Sequence, residues 1–586
     1  MPVTRWLLPK DTVSDQDVDR GMKMLLFDAA FAHSMNVLTG GAFLVAFALL
    51  LGASNKVIGF LAAAAPISQI LHIPAIYLIE RRRQRKALSI TTAVIARSVW
   101  LLAALIPWFV PGPARIPAFL GCLLLFFSFG AVSGCSWNSW MRDLVPEKRM
   151  GRFFGKRMAI ATSLGAVLSF SGGVGVDMWE KHFGTPLGAY SVLFASAGLS
   201  GLVALFFLSF VPEPKMPDEA REPMFRTLAQ PFKDLNFRHF LIYVAMWSVA
   251  MNFAAPFFAV YMIKRLGLSM TWILGLSVVS QLLNIAFFGV WGRLADRFSN
   301  KSVISVTSPL FLACFMLWPL TTMPERHAFT IPILFAIHIL GGITTAGFGI
   351  CSSNLAFRSA PRGKATSYLA VNGLVIGAAA MLAPIAAGVA ADFFENKELS
   401  IVLSATDKAE KKEEDAVQGP EAVSSPAPPA AEPRTPVPDR DVSQPPVVQE
   451  PDADLGIIQD VHAEQTLRRL AEWEAAARAR RGPVIFREPE GETVRLPAMS
   501  LEGLDFVFVI AFLLGVLALH RLGNIKEEGE AEDVMVRKEF YSEMRRAARS
   551  VSSVSGLRHL AAVPYTRMRR AITHEKGAPP GEPPEK

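Results

Sequence analysis

Hydrophobic positions in this chain gather into twelve long runs separated by polar or charged connections. The runs cover about 23–51, 55–79, 87–110, 114–140, 157–177, 187–211, 239–263, 271–290, 302–322, 328–356, 366–392 and 501–521. A helix rises 1.5 Å per residue, so about twenty apolar residues cross a ~30 Å hydrocarbon core. Inside lipid, every backbone N–H and C=O must find its partner within the segment, so runs of this length read as membrane-spanning helices.

The polar positions that punctuate the runs repeat. Leu78-Ile79-Glu80-Arg81 follows the second run, and Leu294-Ala295-Asp296-Arg297 follows the eighth, 216 positions later. Asn138 and Arg142 close the fourth run; Asn354 and Arg358 close the tenth at the same offset. Pro146 and Pro361 come next, 215 apart. Gly173-Val174 with Asp177 ends the fifth run, and Gly388-Val389 with Asp392 ends the eleventh, again 215 apart. Four matches in order, at a nearly fixed offset, make the chain two copies of a six-helix unit. An even number of helices per copy keeps both in the same orientation, which places a pseudo-two-fold axis along the membrane normal. The fold class expected is all-α: twelve transmembrane helices in two parallel six-helix repeats, with a largely disordered insert between the last two.

Charge adds sidedness. The net charge is +8, but the basic residues sit in alternate short loops, such as Arg81–Lys86 and Arg358–Lys364. That is the positive-inside pattern of a membrane protein rather than a nucleic-acid footprint; it puts both termini in the cytoplasm, and a plasma-membrane location is expected. Lys264 and Arg265, at the end of the seventh run, depart from the pattern. The expected organisation is a cytoplasmic N-terminus (1–22), a first half (23–211), a cytoplasmic loop (212–238) and helices seven to eleven of the second half (239–395). An extracytoplasmic insert (396–500), helix twelve (501–521) and a cytoplasmic tail (522–586) follow. The insert is rich in Pro, Ala and acidic residues around 420–451, a composition that cannot bury enough apolar surface to fold. Its 455–481 stretch has helix formers with a loose apolar stripe. Met1–Arg20 is polar, without the apolar core of a leader.

The composition, 51% hydrophobic and 19% charged, agrees with a membrane protein. The four cysteines, Cys122, Cys135, Cys314 and Cys351, lie inside apolar runs and read as small hydrophobes. Gly151…Gly155-Lys156 is one residue short of a phosphate loop and lacks the following hydroxyl residue and preceding strand. With no nucleophile–base pair, metal cluster or nucleotide loop, no enzyme, cofactor or metal is expected.

Gly292-Arg293-Leu294-Ala295-Asp296-Arg297-Phe298-Ser299-Asn300-Lys301 resembles the loop signature G-x-L-A-D-R-x-G-R-K of the major facilitator superfamily of transporters. The first-half copy, Ile76 to Arg85, is degraded: Ile76 stands for the first glycine, Glu80 for the aspartate and Arg83 for the second glycine. The resemblance covers about 1–395 and 501–522. It implies rocker-switch alternating access, a cavity lined by spans one, four, seven and ten, and a gating role for Gly292, Asp296 and Arg297, and for Glu80 and Arg81. A carboxylate and arginines at a cytoplasmic helix end can pair with helix N-termini of the opposite half only when that side is closed, which biases a two-state equilibrium. The family's arginine in span four and Gly-Pro motif in span five have no counterpart: Phe119–Trp140 holds no Arg or Lys, and Ser169–Gly175 no proline.

Ionisable residues at membrane depth are costly and mark function by default. Arg97 lies about 16 Å past Lys86 along a helix. It reads either as a cavity or coupling residue, or as a structural donor to a neighbouring helix. Asp28, expected about one turn inside the cytoplasmic boundary, reads as a protonation site, a partner of Arg97, or an interfacial cap. Asn36 and Asn252 are cavity candidates, with interhelical hydrogen bonding as the alternative; Gln281, Asn284 and Asn372 share it. His33, His72 and His338 read as packing residues. The leading expectation is secondary active transport of a small-molecule substrate, coupled to an ion such as H+ or Na+, in contact with membrane lipid. The alternative is a non-transporting membrane scaffold or assembly factor of similar fold.

Overall fold

The computed structural model describes residues 8–216, 230–323, 326–360, 365–405 and 494–527, with position 542. Among these described residues, twelve helices are long and apolar enough to cross a membrane. In the first half they are α1 (Asp15–Leu50), α2 (Asn55–Arg82), α3 (Arg85–Phe109), α4 (Gly112–Leu144), α5 (Glu147–Phe183) and α6 (Leu187–Ser209). In the second they are α7 (Leu235–Arg265), α8 (Met270–Arg297), α9 (Asn300–Thr322), α10 (Thr330–Ser359), α11 (Ala365–Phe394) and α12 (Asp505–Leu522).

Several helices outrun their apolar cores, because caps rather than hydropathy set their ends. Ser14 accepts a hydrogen bond from the Asp17 N–H, so α1 starts at Asp15 instead of 23, inside the segment expected to be the cytoplasmic N-terminus. Asp234 accepts from the Phe237 N–H and starts α7 at Leu235, inside the expected central loop. The early start of α1 moves Asp28 from an expected interfacial turn to more than three turns into the helix, where it is buried. The interior irregularities have local causes. Gly40 and Gly41, the latter at φ 54°, interrupt α1, and Pro66 precedes a tight turn at Gln69–Leu71 in α2.

The two halves pack alike. In the first, α3 lies against α4 and α6, α1 against α5 and α6, and α2 against α4. In the second, α9 lies against α10 and α12, α7 against α11 and α12, and α8 against α10. The halves meet through α2 on α11 and α5 on α8, pairs that exchange under the repeat. Large apolar side chains such as Trp108, Phe109, Phe206, Val167 and Leu282 remain exposed, as a hydrocarbon solvent permits and water does not.

By chain contacts the protein divides into 1–399 with 501–586, and 400–500. Two strands, β1 (Glu398–Ala405) and β2 (Val494–Glu502), pair with each other as a two-stranded sheet, a feature hydropathy did not suggest. The centre of the insert, including the helix expected at 455–481, and the tail beyond 527 lie outside the described residues. Lys264 and Arg265, which broke the charge pattern, face acids: Lys264 lies 3.9 Å from Glu395 and Arg265 bonds Glu502 at 2.5 Å.

Candidate functional site

The α2–α11 and α5–α8 contacts bring backbones unusually close. A Cβ on Gly59 would lie 2.2 Å from the Pro384 carbonyl oxygen, and one on Gly388 2.7 Å from that of Asn55. On the other pair, a Cβ on Gly173 would meet Leu274 at 2.8 Å and the Met270 carbonyl oxygen at 3.1 Å. All these positions lie at the helix ends remote from the basic loops. On α2 the contact with α11 runs along Asn55–Ser68, while Ile73, Ile76 and Tyr77 farther on are exposed. Among the described residues, the close backbone approaches between α2 and α11 and between α5 and α8 lie at this end.

Within the first half the structure gathers charges that the sequence scatters over three spans. Asp28 on α1 is buried, and Arg157 on α5 reaches it with an Nη2–Oδ2 distance of 3.4 Å. The Arg157 guanidinium also stacks on Trp137 of α4, 4.8 Å from the ring centre. Arg97 on α3 donates to the Gly201 carbonyl of α6 at 2.6 Å, and its charge, with that of Arg157, bears on Asp28. Asp28 Oδ1 and Arg157 Nε are buried without a hydrogen-bond partner. His33, one helical turn farther along α1, sits against Gly165 of α5, where an added Cβ would lie 2.8 Å from its ring. Arg157 stands where the apolar run of α5 begins, the position of an ordinary basic topology signal; the helix itself begins at Glu147.

The asparagine candidates divide. Asn36 is exposed on α1, whereas Asn252 donates to the Ser248 carbonyl of its own helix at 2.8 Å. Asn284 of α8 donates to Thr345 of α10 at 2.9 Å, the interhelical role.

At the basic-loop end, Asp296 and Arg297 are exposed in the last turn of α8, with Gly292 one turn earlier, and Arg297 lies over the Phe298 ring. Glu80 is half-buried and Arg81 exposed at the end of α2. Arg83, in the place of the signature's second glycine, adopts φ 51°, the left-handed conformation glycine takes without penalty. It is alone in this among the described non-glycine residues.

Sequence reasoning missed a buried network below this loop. Glu213, just past α6, accepts the Arg85 and Lys86 backbone N–H groups at 2.7 and 3.1 Å, capping α3. The Arg85 side chain, fully buried, pairs with Glu213 and Asp143 and donates to the Pro214 and Ser139 carbonyls at 2.8 and 3.0 Å. Burial pushes the Glu213 carboxyl above the usual carboxylate range, against the pull of the Lys86 and Arg85 N–H groups and the Arg85 charge. The second half repeats the device. Glu527, past α12, accepts from the Lys301 N–H at 2.7 Å and the Asn300 side chain at 2.8 Å, and lies 3.5 Å from Arg358. The signal was present: each half's last helix is followed within a few residues by Val211-Pro212-Glu213 or Ile525-Lys526-Glu527.

Comparison with known proteins agrees with this architecture. No curated protein matches the sequence. Among solved structures, the nucleoside transporter NupG superposes with a TM-score of 0.50 at 12% identity, over 65% of this chain and 92% of that one. A bacterial homologue of the human lysosomal transporter Spinster, inward-facing and unoccupied, gives 0.49 at 15% identity, over 65% and 84%. At 12% identity the likeness to NupG is one of fold. The family model of the Major Facilitator Superfamily matches residues 29–396, more than half the chain, across the helices just described. This chain belongs to the Major Facilitator Superfamily, a multi-pass membrane protein of a transporter family.

Proposed function

We propose that the protein is a secondary active transporter that moves a small solute across the plasma membrane by rocking its two halves about the seam between them. The observation that carries the reading is the seam itself: α2–α11 and α5–α8 pack closely at the end remote from the basic loops, and the two contacts exchange under the repeat. Two rigid halves joined at one end have an alternative state joined at the other, which is what alternating access requires. With the termini and basic loops in the cytoplasm, the close-packed end is the extracytoplasmic one. Asp296 and Arg297, with Gly292, and Glu80 with Arg81, then form the cytoplasmic lock that engages in the outward-open state. Asp28, Arg97 and Arg157 form a charged group in the first half suited to ion coupling, and Asn36 and Asn252 remain cavity candidates.

The test is uptake and efflux of a panel of labelled solutes, nucleosides, sugars, amino acids and organic anions among them, in proteoliposomes with and without a pH or Na+ gradient. Gradient-dependent accumulation of any one of them is the expected result. Binding without movement in every case, together with stable capture of a membrane partner, would overturn it in favour of a scaffold.

A further inference from the structure

The repeated Gly-Val-x-x-Asp at the ends of α5 and α11 has no part in the reading above, and the structure gives it one. Asp177 crosses from α5 to the second half. Its Oδ1 accepts the Met270 N–H at 2.9 Å and its Oδ2 the Thr271 N–H at 2.8 Å, the first two residues of α8. Asp392 crosses from α11 to the first half. Its Oδ1 accepts the Asn55 N–H at 3.0 Å, the first residue of α2, and its Oδ2 lies 3.7 Å from Lys56. Donors and acceptors are both related by the 215-residue repeat: Asp177 with Asp392, Asn55 with Met270, Lys56 with Thr271.

We infer that Asp177 and Asp392 are twin interdomain locks that hold the extracytoplasmic gate closed. This rests on the alternating-access reading. The first N–H groups of a helix have no intrahelical acceptor and carry the positive end of the helix dipole, so an ionised carboxylate there makes charge-assisted bonds. Here each carboxylate comes from the opposite half, so its bonds exist only in the closed seam and are lost when the ends part. Gly173 and Gly388, four residues before each aspartate, let the two backbones approach closely enough for the short side chain to reach. Lys56 is an accessory: its side chain is 61% exposed, so its ion pair contributes little beside the helix end.

The experiment uses the full chain with its four native cysteines replaced. A reporter Leu274→Cys is placed at the seam, where the native side chain is 5% exposed, and is labelled from outside with a membrane-impermeant maleimide. Asp177→Asn and Asp392→Asn should each speed labelling roughly 3- to 10-fold, and the pair multiplicatively, because both act on one two-state equilibrium. Lys56→Ala should change it less than about twofold. Unchanged labelling in both aspartate variants overturns the proposal, and so does an effect of Asp177→Asn alone, which would be fraying of the adjacent helix end. Because the two substitutions lie on different helices, misfolding of one leaves the other as a test. A second reporter, Ile76→Cys at the basic-loop end, separates the lock from the rocking mechanism. Faster labelling at 274 with slower labelling at 76 supports both. Faster labelling at 274 with none of the reciprocal protection supports the lock and contradicts rocking.

Discussion

At the scale of single residues, the account turns on charge held inside the first half. Depth along the sequence made Arg97 and Asp28 conspicuous, since an unpaired ion there costs several kcal/mol. Sequence alone did not supply Arg157, because a basic residue at the edge of an apolar run looks like a topology signal. Only the extra helical turns at the start of α5 bring it beside Asp28. With two guanidinium groups bearing on one carboxylate, removing the carboxylate leaves uncompensated positive charge in a low-dielectric site. Asp28→Asn is therefore expected to abolish gradient-driven transport and to lower the detergent melting midpoint by roughly 3 kcal/mol equivalent. Arg97→Leu should likewise abolish coupling. Uptake by Arg97→Leu that still follows the ion gradient would reduce Arg97 to a donor for the Gly201 carbonyl.

At the scale of elements, hydropathy located the twelve helices because lipid makes a span apolar along its whole length. It misplaced their ends because ends are set by caps, such as Ser14 on α1 and Asp234 on α7. The two strands escaped notice because β1 and β2 fall almost wholly within 396–500, which was read from its Pro-rich and acidic composition as an insert without a core of its own. The glutamates past α6 and α12 are the element-level finding with the clearest energetic content. Each satisfies the first turn of a neighbouring helix and pairs with an arginine. Glu213→Ala orphans the Arg85 and Lys86 N–H groups and removes one acid from a fully buried guanidinium. It should destabilise the protein by about 3–5 kcal/mol, read as a lowered thermal midpoint in detergent. Glu527→Ala, at a pair whose Arg358 is half exposed, should cost less, about 1–3 kcal/mol. Equal costs would mean that the burial difference between the two sites does not matter.

At the scale of the whole molecule, the six-plus-six organisation was written in a fixed offset of polar landmarks, and the observed packing follows it pair for pair. Which ends of the halves touch was not written there, since the same sequence must support both closures. The locks proposed for the two ends are of one kind: an acid at a helix end reaching the start of a helix in the other half. Asp296→Asn, which weakens the cytoplasmic lock, should favour the inward-open state, and Asp177→Asn with Asp392→Asn should favour the outward-open one. Each is expected to slow net transport several-fold by stalling the cycle, measured as initial uptake in proteoliposomes. The insert sets a separate check on topology. Protease added to intact cells stripped of any outer membrane should cut between Ala416 and Glu450 and spare the tail, whereas cutting only after lysis would mean a miscounted span.

Alternating access of two rigid halves is tested most directly by paired spin-label distances in a background without native cysteines. One pair, at Arg142 and Phe357, spans the halves at the basic-loop end; the other, at Phe109 and Phe329, spans them at the opposite end, all four positions being exposed. Asp296→Asn should lengthen the first distance and shorten the second, and Asp177→Asn with Asp392→Asn should do the reverse. Distances that rise or fall together, or that neither variant moves, would contradict a rocking transporter.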